Sequence, residues 1–144
     1  MKLLFLPALL AFIFAAGCKP AGTSDQSASP ADAHTSANSL TVAGLYTGTV
    51  PCADCAGIET TLTLSDGMVY TINRKYLGKD PELVTQHSGK YKWNDAGNTI
   101  ILDGLDPAAE PTQYLVEEGR IIQLDLAGNR ITGELADKYI LIQQ

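Results

Sequence analysis

Along residues 40–144 apolar and polar side chains alternate in short runs, and this two-residue period constrains the fold more than any other feature. Ile58, Thr60, Leu62 and Leu64 alternate with Glu59, Thr61 and Thr63; Asp66-Gly67 then turns the chain, and Met68, Tyr70 and Ile72 resume the pattern. Successive side chains of a strand point to opposite faces, so such alternation around an Asp-Gly pair predicts a β-hairpin. Further runs rich in Val, Ile, Leu, Thr and Tyr predict strands at 42–50, 84–93, 99–103, 112–117, 120–126 and 138–142. Turns are expected at 95–98, 104–111, 118–119 and 128–129, where Gly, Asp, Asn and Pro gather. No amphipathic helical stretch stands out.

Eight short strands joined mostly by tight turns predict an all-β domain, a small antiparallel meander over residues 40–144. Closing the meander into a barrel removes both sheet edges, whereas a flat sheet leaves two exposed. A closed barrel is therefore expected. A two-sheet sandwich is the competing arrangement, because periodicity does not distinguish closure from stacking. Gly44, Gly48 and Gly89 are the positions where strands could bend sharply enough to close.

Ahead of this domain the composition changes twice. Lys2, the apolar residues 3–16 and the small residues Ala15-Ala16-Gly17 form a signal peptide over 1–17. The apolar run is too short for a membrane-spanning helix and contains Pro7. Ala15-Ala16-Gly17-Cys18 resembles the lipobox of bacterial lipoproteins, with Ala15 in place of the usual Leu, and implies acylation of Cys18. Stable anchoring needs at least two acyl chains, and a lipobox cysteine receives three by that resemblance. Lys19, rather than Asp, after the cysteine resembles the sorting pattern of outer-membrane lipoproteins, so a periplasm-facing outer-membrane anchor is expected. Residues 19–39 are mostly Ala, Ser, Thr, Pro, Gly, Asp and Asn, too polar to offset the entropy of ordering. With Cys18 they are expected to form a flexible tether over 18–39, about 25 Å in mean reach.

Ten Lys and Arg against sixteen Asp and Glu give a net charge of −6, which becomes −7 once Lys2 leaves with the signal peptide. No run of Lys or Arg exists to neutralise phosphates, so no nucleic-acid partner is expected. Phe5, Phe12 and Phe14 all lie in the signal peptide, and the domain must build its aromatic core from Trp93 and six Tyr. Their polar ends each need a partner if buried. His34 falls in the tether and is read as solvated.

The chemistry that can be read is confined to Cys52 and Cys55, in a Cys-x-x-Cys loop between the first two strands flanked by Pro51 and Gly57. Gly44-Leu45-Tyr46-Thr47-Gly48, Pro51-Cys52-Ala53-Asp54-Cys55-Ala56-Gly57-Ile58, Tyr76-Leu77-Gly78, Gly89-Lys90-Tyr91-Lys92-Trp93 and Leu124-Asp125-Leu126-Ala127-Gly128 spread over most of the domain. In these stretches the sequence resembles the amino-terminal domain of the NlpE family of copper-resistance lipoproteins. The resemblance implies a small lipocalin-like β-barrel on an outer-membrane lipoprotein, linked to copper tolerance and to a signalling partner in a two-component envelope-stress response. Longer members carry a second domain with another cysteine pair; the sequence stops before one, so activity residing there is expected to be absent.

Three readings of Cys52 and Cys55 stay open at this point. An exported domain meets an oxidising compartment, which favours a structural disulfide. So short a ring removes little loop entropy from the unfolded chain, and its effect would be to fix the loop. Alternatively two thiolates suit Cu(I), while a structural zinc wants four ligands that the neighbourhood lacks. Met68 and His87 are the only Met and His of the domain, so copper would have no Met- or His-rich tract to recruit it. The third reading is redox sensing. Catalytic Cys-x-x-Cys pairs sit at a helix amino terminus in a βαβ unit, which is not visible here, and Asp54 between the thiols disfavours a thiolate.

Enzymatic activity is not expected. The sequence has no Gly-x-Ser-x-Gly elbow, no His-Glu-x-x-His helix and no phosphate-cradling loop. His87 lies between Gln86 and Ser88 with no hint of a triad, and Glu117-Glu118 reads as a solvated acidic tip. A different class of function, a lipocalin-type carrier of a small hydrophobic ligand, depends on free volume. It fails if Tyr46, Tyr70, Tyr91 and Trp93 fill the interior, and gains from an empty apolar mouth.

Overall fold

Thr60, Leu62 and Leu64 on β2 (Gly57–Ser65) and Tyr70, Ile72 and Arg74 on β3 (Val69–Leu77) are buried on one side of a hairpin, as the alternation requires. The remaining strands are β1 (Gly44–Val50), β4 (Leu83–Trp93), β5 (Thr99–Leu102), β6 (Gln113–Glu117), β7 (Arg120–Gln123) and β8 (Ile140–Gln143). Each pairs antiparallel with the next, and β8 returns to β1 through Tyr46↔Gln143 and Thr47↔Ile142. The result is a closed eight-stranded barrel, not a sandwich. These features belong to a computed structural model that describes residues 35–144. The signal peptide expected over 1–17, Cys18 and the tether as far as residue 34 lie outside the described residues.

Closure depends on close backbone approach at two seams. A Cβ on Gly48 would lie 2.6 Å from the Ile140 carbonyl oxygen, between β1 and β8. One on Gly89 would lie 2.9 Å from the Asp103 carbonyl oxygen and 3.1 Å from the Tyr70 ring, where β4 meets β5. Only glycine fits at either place. Gly44 differs, because its nearest neighbour is the end of the Gln143 side chain, which can move.

Four expectations need correction. Met68 does not resume the strand: it sits in the turn at φ 58°, and β3 begins at Val69 and runs on to Leu77. The strand expected over 120–126 stops at Gln123, because the Asp125 carboxylate accepts the N–H groups of Ala127 (2.9 Å) and Asn129 (2.7 Å) and curls the chain. Residues 138 and 139 belong to a 3₁₀ turn, Ala136–Tyr139, so the last strand starts at Ile140. The domain also begins before residue 40. A helical turn α1 (Ser36–Ser39) is pinned by Ala37 N–H to the Gly97 carbonyl (2.9 Å) and Ser36 Oγ to the Val116 carbonyl (3.0 Å). Composition misses this because small polar residues can satisfy backbone groups without burying apolar area.

The two ends of the barrel are unlike. Short turns after β2, β4 and β6 lie at one end, beside α1 and the packed residues Leu40 and Val42. Longer connections, 51–56, 78–82, 103–112 and 124–139, all lie at the other. Tyr46, Leu64, Tyr91, Ile100 and Val116 fill the short-turn end, and Leu62, Ile72, Leu102, Tyr114 and Leu141 fill the middle. The buried hydroxyls are satisfied: Tyr46 donates to the Val42 carbonyl (2.9 Å) and Tyr70 to that of Asp103 (2.8 Å).

Candidate functional site

Cys52 and Cys55 stand on the rim of the long-loop end. β1 stops at Pro51, which has no N–H for a ladder, and β2 starts at Gly57, whose φ of 151° disfavours other residues. The loop between them is held by the Ala56 N–H bonded to the Leu77 carbonyl (2.9 Å). Cys52 and Cys55 form a disulfide with their Cα atoms 5.3 Å apart. Both are half-buried, and Ala53 and Asp54 between them are exposed. With no S–H hydrogen on either sulfur, the 3.5 Å approach of Cys52 Sγ to Asp54 Oδ1 is a contact, not a hydrogen bond.

Asp54 is tied to the neighbouring loop. Lys79 Nζ donates to Asp54 Oδ2 at 2.6 Å, and this bond with the lysine charge holds the Asp54 carboxyl below its usual range. Lys79 therefore offsets the negative field that the sequence alone would place on the sulfurs.

Inside the rim the barrel opens into a cavity of about 590 Å³. Val50, Ile58, Tyr76, Leu124, Ile131 and Tyr139 supply its apolar wall. Its floor carries a buried cation. Arg74 is 5 % exposed, forms an ion pair with Glu110, and donates to the Pro111 carbonyl (3.2 Å) and the Tyr114 hydroxyl (3.4 Å). Burial pushes the Tyr114 hydroxyl above its ordinary pKa, so it remains a neutral partner for Arg74. Among the described residues no buried side-chain polar atom lacks a hydrogen-bond partner. The arginine thus straps the 103–112 connection to the barrel and separates the open mouth from the packed interior.

The structure brings the two candidate residues Cys52 and Cys55 together and leaves Cys18 outside the described residues. His87 is exposed on β4, and Glu117 is held by Arg120 and Arg130 rather than by a catalytic partner. Arg74 with Glu110, and Lys79 with Asp54, were not singled out in the sequence. Arg74 had a signal, because it falls in the same strand phase as Tyr70 and Ile72. Asp54 is marked by its place between the two cysteines, whereas Glu110 and Lys79 sit in loops with no local signal.

The donor set around the loop has a mixed character. Ligand atoms of Cys52, Asp54 and Cys55 all lie within 4.8 Å of one another. As a disulfide the two sulfurs are poor ligands; opened, they would be two soft thiolates beside one hard carboxylate oxygen. The set fits a thiophilic ion only in the reduced form.

Comparison with known proteins identifies the lineage of this barrel. The family model for the NlpE N-terminal domain matches residues 46–134. Lipoprotein NlpE of Escherichia coli is 30% identical over 89 residues, covering 62% of this chain and 36% of that protein, so the chain spans about a third of that relative's length. A crystal structure of a proposed lipoprotein from Shewanella oneidensis aligns with a TM-score of 0.69 and 42% identity, over 77% of this chain and 96% of that one. The crystal structure of the Cpx pathway activator NlpE from Escherichia coli aligns at a TM-score of 0.49 and 29% identity, over 63% and 46% of the two chains. The family match runs from Tyr46 within β1 through β7 and includes the cysteine loop, and the chain belongs to the NlpE N-terminal domain family.

Proposed function

We propose that this chain is a non-enzymatic envelope lipoprotein, held in the outer membrane by acylated Cys18, that takes part in envelope-stress signalling and copper tolerance through its Cys52–Cys55 loop. The observation that carries the reading is the disulfide on the rim of the open mouth, in a chain of the NlpE family. Relatedness to lipoprotein NlpE supports the anchor, and the description of that protein as a Cpx pathway activator supports a signalling partner. In the resting state the pair is oxidised, since the compartment favours pairing. A thiol reductant that delivers two electrons opens it. The freed thiolates of Cys52 and Cys55 would then hold Cu(I), which prefers such soft ligands. Lys79, paired with Asp54, offsets the carboxylate's negative charge beside the two sulfurs.

The test is a chelator competition with reduced protein. Wild type should take up one Cu(I) per domain and the Cys52→Ser/Cys55→Ser variant none, while the variant still folds. Equal uptake by both would contradict copper ligation by the pair. If the variant then keeps its response to copper challenge in cells, the pair is structural only.

A second reading is favoured by one observation, the apolar wall of the mouth. Tyr46, Tyr70 and Tyr91 are buried and fill the interior, with Trp93 half-buried against them, so a carrier could use only the space above Arg74. Saturable uptake of a fluorescent fatty acid, lost in Ile58→Glu, would support that reading; its absence would remove it.

A further inference from the structure

The barrel closes unevenly at one seam. β4 has eleven residues, yet only Tyr91, Lys92 and Trp93 pair with β5, at Leu102, Ile101 and Ile100. The Asp103 N–H adds a bond to the Lys90 carbonyl, after which the chain turns away. On its other side β4 is paired to β3 as far as Leu83. Among the described residues, 83–88 therefore form a strand with one unpaired flank.

The direction of the unpaired groups follows from two bonds. Tyr91 N–H donates to the Met68 carbonyl on the β3 side, whereas the Lys90 carbonyl accepts from the β5 side. Antiparallel strands alternate, so the N–H and C=O groups of Val84, Gln86 and Ser88 point away from β3 into the open flank. Nature usually blunts such an edge with charge, Pro or a covering segment. Here Pro81 and Glu82 precede the stretch and Lys90 follows it, but Leu83 to Ser88 carry no Lys, Arg, Asp, Glu or Pro. Leu83 is 44% and Val84 53% exposed.

We propose that this flank is a self-association edge, on which two copies of the chain pair β4 to β4 as antiparallel strands about a two-fold axis at Thr85. The proposal is independent of the function assigned to the cysteine loop. Only registers that set even residues opposite even residues let the free backbone groups meet, and Asp103 blocks those that slide the partner toward Lys90. Centring on Thr85 satisfies both limits. Val84 then exchanges bonds with Gln86 of the second copy, and Glu82 with its Ser88. Thr85 meets its own copy, a favourable cross-strand pair. Glu82, ion-paired with Lys75 at 2.9 Å within its own chain but still largely exposed, falls diagonally across from Lys90 of the second copy, so each end of the edge joins a Lys75–Glu82–Lys90 cluster that the symmetry repeats. The edge is thus complementary to itself in hydrogen bonding, apolar contact and charge.

Two variants test it on the full chain carrying Cys18→Ala, in which Cys52 and Cys55 are already paired. Thr85→Cys should give a disulfide-linked dimer on mild oxidation, because the two positions face each other across the axis, while Ser65→Cys at the opposite end of the barrel should not. Gln86→Pro removes an N–H that bonds nothing within the chain, so it should leave the melting temperature nearly unchanged yet weaken dimerisation in sedimentation equilibrium about tenfold or more. Lys90→Glu should weaken it a few-fold, on the order of one ion pair, and adding Lys75→Glu with Glu82→Lys, which keeps the intrachain pair in reversed polarity, should restore it. A chain that sediments as a monomer at all concentrations, or a Thr85→Cys protein that cross-links no better than Ser65→Cys, would overturn the proposal.

Discussion

The short-turn end of the barrel and its long-loop end divide stability from chemistry. At the former, Tyr46, Leu64, Tyr91 and Val116 are buried under tight turns and α1. At the latter, a mouth of about 590 Å³ stays open beneath four longer connections, with the disulfide on its rim and an arginine in its floor. The difference teaches how one meander supports both. Strand alternation fills an interior wherever turns are tight; where loops lengthen, the same inward positions line a space.

The largest expected effect comes from substitutions that probe this division directly. Tyr46→Ala or Leu64→Ala, at fully packed sites, should cost about 3–5 kcal/mol in chemical denaturation, whereas Ile131→Ala on the mouth wall should cost under about 1 kcal/mol. Equal costs would erase the distinction between the ends. Arg74→Ala tests the boundary between them. Loss of the guanidinium strands Glu110 and frees the 103–112 connection, with a cost of about 2 kcal/mol, below the usual figure for a buried pair because Glu110 is partly exposed. Amide exchange should quicken in residues 103–112 and not in β1 or β2.

A smaller effect should follow pH at the rim. Lys79 lowers the Asp54 pKa, so the link between the two loops is complete above the ordinary carboxylate range and is lost as pH falls through that lowered value. Because Asp54 is exposed, the loss should show as a local shift in the Asp54 and Lys79 resonances below about pH 4, with no change in global stability. A titration of Asp54 at the ordinary value would show that the contact does not hold in solution.

How much of this the sequence revealed depended on the kind of signal. Alternation located β2 and the buried side of β3, and Asp-Gly located their turn, because both act within a few residues. Barrel closure was favoured by edge avoidance, and Gly48 and Gly89 do lie at seams. Met68 mimics a strand position in the sequence because a turn residue at positive φ can carry an apolar side chain. Ser36–Ser39 looks like tether in the sequence because its attachment is two hydrogen bonds to residues 60 and more positions away. At the site, the cysteines announced themselves by spacing, and Arg74 by strand phase. Glu110 and Lys79 are set by loop paths that no local pattern encodes.

The division between the two ends implies that the state of Cys52 and Cys55 is expressed at the mouth and insulated from the packed end. The most direct test is hydrogen exchange on the folded protein with the disulfide intact and after selective reduction. A ring this short should lower global stability by no more than about 2 kcal/mol when opened. Exchange should therefore accelerate at residues 51–58 and in the facing loops 78–82 and 124–131, with protection of Tyr46, Leu64, Tyr91 and Val116 preserved in order. Uniform acceleration across both ends, or no change at the rim, would contradict it.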